Sequence, residues 1–293
     1  MHEGVSVGPR ALGVCRVQEK DPAGALHKVL SCDLRGLQEG EIRPGLLLHP
    51  KGQFRALLAV ARVSGELWLL APATKGPELA SALDVYLRFS RVLVAPMEGP
   101  RFLLLGAGAA AWLGAQGLPC PAPGHAMGDG KVQVFAETLL GLPGLLVAGL
   151  EAPDVPAMAE EELERDRLAA GFPAWGRELV PDVLPQEVGL REPWVSLTKG
   201  CYVGQETMAR LATYGHVNRL LVGLSGDGEA PAAALPWPLA DSESARVVGR
   251  VTSTARTPDG GLVALGLLHR SVARQGYEAV SGNLRLRVEA VLA

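Results

Sequence analysis

Residues 199–210 read Lys199-Gly200-Cys201-Tyr202-Val203-Gly204-Gln205-Glu206-Thr207-Met208-Ala209-Arg210, with two glycines framing a cysteine. Such a turn lets backbone come close to a ligand, and a short helix is expected to open from about Gly204. Cys201 then lies just ahead of a helix N-terminus, with Lys199 adjacent in sequence and Arg210 on the helix. Each feature favours thiolate over thiol. The chemistry that uses such a group is nucleophilic attack, thiol redox exchange or ligation of a soft metal. A free cysteine is also often a plain core residue, and an inert buried thiol in a glycine turn accounts for the same letters. Glu206 has an ordinary role as a first-turn carboxylate, and Gln205 as a residue that ties up a loop.

Other groups are less specific. Gly106-Ala107-Gly108-Ala109-Ala110-Ala111 has the form of a dinucleotide loop, but no acidic residue stands at the end of the next strand at the required distance. A tight turn that brings a helix close to a sheet is the favoured reading. The six histidines and four cysteines (Cys15, Cys32, Cys120, Cys201) form no CxxC pair and no zinc-like spacing. No GxSxG elbow or HExxH helix occurs. Trp175, Trp194 and Tyr202 could wall a pocket for a flat heterocycle, or simply be core.

The elements that must position these groups alternate strand and helix up to residue 213. Strands are expected over 14–18, 53–63, 66–72 and 91–95, with Ser64-Gly65 as a hairpin turn and 40–44 as a loop. Asp21-Pro22 opens a helix to about residue 30, and leucines at helical spacing give another over 77–89. The order repeats with strands at 101–105, 131–135 and 144–148 and helices at 109–116 and 158–170. This indicates an α+β domain with antiparallel sheet. From residue 214 helical periodicity vanishes, and strands follow at 217–224, 245–252, 261–268 and 283–291. Residues 214–293 read as a small β-barrel or jelly roll, with 225–240 as a long surface loop, while residues 1–12 look loose.

At 293 residues the chain is long enough for two or three domains, and 48% hydrophobic with 20% charged is an ordinary globular balance. The net charge of -3 supplies no cationic field, so direct nucleic-acid binding is not expected. No secretory leader or membrane span is read, and the cysteine pattern fits a reducing cytoplasm.

Residues 199–210 resemble the K-G-C-Y/F-x-G-Q-E-x-x-x-R signature of the YgfZ-type folate-binding proteins, paralogues of the glycine-cleavage T-protein. Arg167-Leu168-Ala169-Ala170-Gly171-Phe172-Pro173 resembles that family's R-I-E-A-G-x-P stretch, and Gly176-Arg177-Glu178-Leu179 and Pro185-Gln186-Glu187 follow in its order. Ser31-Cys32-Asp33-Leu34, Lys51-Gly52 and Val248-Gly249-Arg250-Val251-Thr252-Ser253 resemble further family elements, so the likeness runs from about residue 13 to the C-terminus.

The resemblance implies an aminomethyltransferase-like α+β fold, with ferredoxin-like halves and antiparallel sheets over residues 1–213 and a C-terminal β-barrel over 214–293. It implies tetrahydrofolate or a one-carbon derivative as ligand. It also implies a role in assembling or maintaining iron–sulfur enzymes, some of which modify tRNA, with such client proteins as partners of a monomer. Cys201 maps to the family's reactive or ligating thiol. Lys199, Gly200, Tyr202, Gly204, Gln205, Glu206 and Arg210 map to its motif, and Asp33 and Arg167 to other elements; no resident metal is expected. Two rival readings make the chain a folate-dependent aminomethyltransferase or demethylase, or an interaction scaffold that no longer binds folate.

Overall fold

The computed structural model describes residues 4–8, 13–18, 21–71, 74–137 and 144–293. The expected loose N-terminus and the end of the 66–72 strand lie partly outside them. The chain divides into two compact units, one of residues 1–51, 55–159 and 192–205, the other of 52–54, 160–191 and 206–293.

The first unit carries β1 (Ser6–Val7), β2 (Gly13–Gln18), α1 (Pro22–His27), β3 (Ile42–Leu48), β4 (Phe54–Val63), β5 (Glu66–Ala71), α2 (Gly76–Leu87), β6 (Leu93–Pro96), β7 (Arg101–Leu105), α3 (Ala109–Ala115), β8 (Ala126–Gly128), β9 (Gln133–Glu137) and β10 (Gly144–Ala148). They form two five-stranded sheets, ordered β3-β4-β5-β2-β6 and β1-β7-β10-β9-β8. The strand pairs with a defined register in these two sheets are antiparallel.

Alternation along the strands builds the first core. Cys15 and Val17 of β2, Leu58 and Val60 of β4, and Leu67 and Leu69 of β5 lie on one face. Leu26 of α1 and Leu79, Leu83 and Leu87 of α2, at helical spacing, complete that core. On the second sheet Phe102, Leu104, Val134 and Val147 meet Ala109 and Leu113 of α3, with Trp112 edge-on to Phe102 at 5.9 Å. The two sheets touch where the Trp68 and Phe135 rings lie 6.0 Å apart.

α1 begins where expected: the Asp21 side chain accepts from the Gly24 N–H and Pro22 occupies the first turn. It ends at His27, one turn short, because the chain there turns into the segment that receives Lys199. The expected loop at 40–44 is in part strand, since β3 starts at Ile42 and runs through Pro44. β3 lies at a sheet edge, where a proline removes no ladder bond.

The second unit holds α4 (Glu160–Ala169), nearly all of α5 (Gln205–Tyr214), and β11 (Arg219–Asp227), β12 (Trp237–Asp241), β13 (Val247–Arg256), β14 (Leu262–His269), β15 (Glu278–Ser281) and β16 (Leu284–Val291). The six strands close a barrel in the order β11-β14-β13-β12-β15-β16. Leu284, Leu286 and Val288 of β16 point into its core beside Trp237, Leu239 and Val251. The expected loop over 225–240 is corrected at both ends: β11 runs on to Asp227, and β12 starts at Trp237. The sequence reading also missed β15, a four-residue strand. No helix among the described residues is long and apolar enough to cross a membrane.

Candidate functional site

The signature turn belongs to the first unit from Lys199 to Gln205, and the helix that follows belongs to the second. Gly204, with φ 83°, turns the chain into that helix in a conformation that glycine adopts without a Cβ clash. Cys201 is exposed and free, which sets aside the inert buried thiol. Gly200 is also exposed, while Tyr202 and Gly204 are buried. Glu206 and Arg210 lie exposed on α5.

Lys199 is the interior member, only 3% exposed. Its ammonium donates to the carbonyls of His27, Leu30 and Cys32, all within 2.8 Å. The Tyr202 ring stands 4.9 Å from the same nitrogen. Burial pushes the Lys199 ammonium down to about 8, with the Cys32 thiol and Asp33 opposing that shift. The Gln205 amide donates to the Lys199 carbonyl at 3.4 Å.

The segment that receives Lys199 is tied down by three more hydrogen bonds. The Ser31 hydroxyl donates to the Trp194 carbonyl at 2.6 Å and accepts from the Leu46 N–H at 2.8 Å. The Ser196 N–H reaches the Ser31 carbonyl at 2.9 Å. Ser31 and Ser196 were not expected as site residues, and Trp194 only as a candidate pocket wall; the signal for Ser31 was its position in the Ser31-Cys32-Asp33-Leu34 element. Cys32 is buried, and burial raises its thiol to about 11. Gly45 makes room for it, since a Cβ there would come 2.5 Å from the Cys32 sulfur.

Asp33 ends this segment. Arg35 donates to both its oxygens, at 3.1 and 2.7 Å, and its backbone N–H adds a third bond at 2.9 Å. The Arg35 hydrogen bonds hold the Asp33 carboxyl well below the usual carboxylate range. His27 Nδ1 lies 3.3 Å from Asp33, and burial, followed by the Lys199 charge, lowers the His27 pKa. Burial pushes the Tyr202 hydroxyl up to about 12, and that hydroxyl has no hydrogen-bond partner among the described residues.

Arg167 stands elsewhere, inside the second unit. It donates to Glu164 at 2.7 Å and to the fully buried Glu178 at 3.2 Å, and Glu178 accepts from the Ser253 hydroxyl at 2.6 Å. Three separate sequence elements, those of Arg167, Glu178 and Ser253, thus meet in one buried network. A second network joins Glu187 and Asp182 to Arg219, and Asp182 to Arg250. Both are structural ion pairs, and in the second unit they hold the segment before the barrel against its strands.

The glycine-rich loop at 106–111 carries no nucleotide geometry. A Cβ at Gly108 would lie 2.7 Å from Val5, so the space is filled by the chain itself, and the adjoining strands are antiparallel.

No family model matches the chain. An aminomethyltransferase of Moorella thermoacetica is 38% identical over 148 residues, 49% of this chain and 38% of that protein. A tRNA-modifying protein YgfZ of Serratia proteamaculans is 37% identical over 97 residues, 32% of this chain and 29% of its own length. The matches thus span less than two fifths of either relative. The crystal structure of the glycine cleavage system aminomethyltransferase T from Bartonella henselae aligns with 99% of this chain and 86% of its own, with TM-score 0.86 and 22% identity. Fold and signature together define an aminomethyltransferase-like protein. Relatives named aminomethyltransferase and tRNA-modifying protein YgfZ, with this structural neighbour, support placing the chain with the YgfZ-type members of the aminomethyltransferase superfamily.

Proposed function

We propose that the protein binds tetrahydrofolate or a one-carbon derivative of it, and uses Cys201 as a reactive or ligating thiol in support of iron–sulfur enzymes, including some that modify tRNA. The observation that carries this reading is the signature turn, in which an exposed thiol is presented by a segment anchored through Lys199. A bound folate would supply a flat heterocycle with hydrogen-bonding edges and an anionic glutamate tail. The residues fit such a group. The buried Tyr202 hydroxyl, without a partner among the described residues, would gain one. The exposed cation Arg35, in the same unit, suits a carboxylate tail.

The test is a thermal-shift titration with tetrahydrofolate, with NADP as control, on the wild type and on Cys201→Ala. A ligand of the native state raises the melting temperature with concentration. Stabilisation of both proteins by tetrahydrofolate alone supports a folate site in which the thiol serves another step. No response at saturating tetrahydrofolate in either protein rejects the folate reading and favours an interaction scaffold.

The similarity to aminomethyltransferases supports a second reading, one-carbon transfer. It requires a pocket carboxylate, and the candidate matched from the sequence is Asp33. Asp33→Asn would then abolish turnover of an aminomethyl or methylamine donor, while Cys201→Ala would keep it.

A further inference from the structure

Lys199 stands beside the proposed thiol, yet its geometry excludes it from the chemistry. An ammonium has three donors and no acceptor. All three are taken, by His27, Leu30 and Cys32 carbonyls within 2.8 Å. With the nitrogen 4.9 Å from the Tyr202 ring as well, the ammonium has no donor left for a folate carboxylate. The neighbouring amides are engaged elsewhere: Ser31 N–H goes to Leu46 and Leu34 N–H to His27 Nδ1. Without a cation, three carbonyls in a dry turn would lose their bonds.

We propose that Lys199 is a positioning residue, a cation tethered to the Cys201 turn that fills a three-carbonyl site in the turn leading to Asp33. Through it the thiol and the carboxylate of the candidate site are held by one ion. Cys201 lies two residues beyond Lys199, and Asp33 directly follows Cys32, whose carbonyl the ammonium binds. The hydrogen bonds from Ser31 to Trp194 and from Ser196 to Ser31 run between the same two segments. The consequence for the site rests on the folate reading above. The cation site itself does not.

The experiment is chemical rescue. Lys199→Ala removes the atoms from Cγ to Nζ, and propylammonium carries the same set. Hydrogen exchange of the 28–33 and 199–205 amides is measured on wild type and variant, with and without propylammonium. Stranding a buried acceptor is expected to raise exchange in both segments by about tenfold or more. Saturable recovery of both by propylammonium, but not by tetramethylammonium, which has no N–H, is the expected result. If exchange stays at wild-type rates, or if only the 199–205 segment loosens, the proposal is overturned. It is also overturned if propylammonium restores neither segment of a folded variant.

Two additions complete the test. The tetrahydrofolate Kd of the variant should rise and return with propylammonium. A wild type that never binds tetrahydrofolate would defeat the folate reading while leaving the exchange result to judge Lys199. Should Lys199→Ala fail to fold, amine acylation of the native wild type decides: Lys199 must resist a reagent that modifies the exposed Lys51, and equal labelling sinks the idea.

Discussion

At the scale of single residues, the site depends on charges that the fold shifts. Burial holds the Lys199 ammonium at about 8, below the lysine value of 10.5. The unfolded chain therefore binds more protons than the folded one between those two values, and stability rises with pH across that window. Below pH 8 both states are protonated and the slope vanishes. Denaturant melts of wild type and Lys199→Met from pH 7 to 10 should show the wild type gaining on the variant only above about pH 8; a constant difference would refute the shift. Glu178 makes the complementary case. It is fully buried and bound to Arg167 and Ser253, so Glu178→Gln leaves the Arg167 charge short of a partner. A loss of about 3–5 kcal/mol in a urea melt is expected. The sequence exposed Cys201 and Lys199 as a pair but not their division of labour. The carbonyls that capture Lys199 are 167 to 172 residues away, a distance that no local pattern encodes.

At the scale of elements, the two glycines of the signature carry unequal loads. Gly204 has φ 83°, whereas Gly200 has an ordinary φ and open space where a Cβ would go. Gly204→Ala should cost roughly 1–2 kcal/mol by thermal melt, and Gly200→Ala should fall within about 0.5 kcal/mol of wild type. Helices α2 and α4 were legible from leucine spacing and from the acidic first turn. The 14–18 and 144–148 strands were legible from alternation and apolar runs. Two of the misses, β3 and β12, share a physical cause. β3 contains Pro44-Gly45 and β12 contains Pro238, residues that argue against strand in isolation. Both are tolerated because of their neighbours. β3 is an edge, and β15 meets β12 only at Ala240 and Asp241, past the proline. Register with partners far along the chain settled these elements, and a single sequence does not display it.

For the whole molecule, the α+β halves followed by a barrel were legible from the loss of helical periodicity after residue 213 and from the family resemblance. The interleaving of the two units was not, because the return of 192–205 to the first unit depends on bonds such as those of Ser196 and Lys199. The barrel closes through β16, which pairs with both β11 and β15. A chain truncated after Gly282 would leave both of those strands as open edges, and open edges invite pairing between chains. Its light scattering on concentration should climb well above that of the full chain. On the proposed folate reading, tetrahydrofolate at a hundredfold excess over Kd adds about 2.7 kcal/mol to the stability of the intact protein in a denaturant melt.

The long separation between Lys199 and its carbonyls also sets an order of events during synthesis. The turn at His27 to Cys32 leaves the ribosome some 167 to 172 residues before its ammonium does. At roughly 5–20 residues per second, that is a wait on the order of 10 to 30 s. Through that interval the three carbonyls have only water to bond, and the turn must stand without the ion that later fills it.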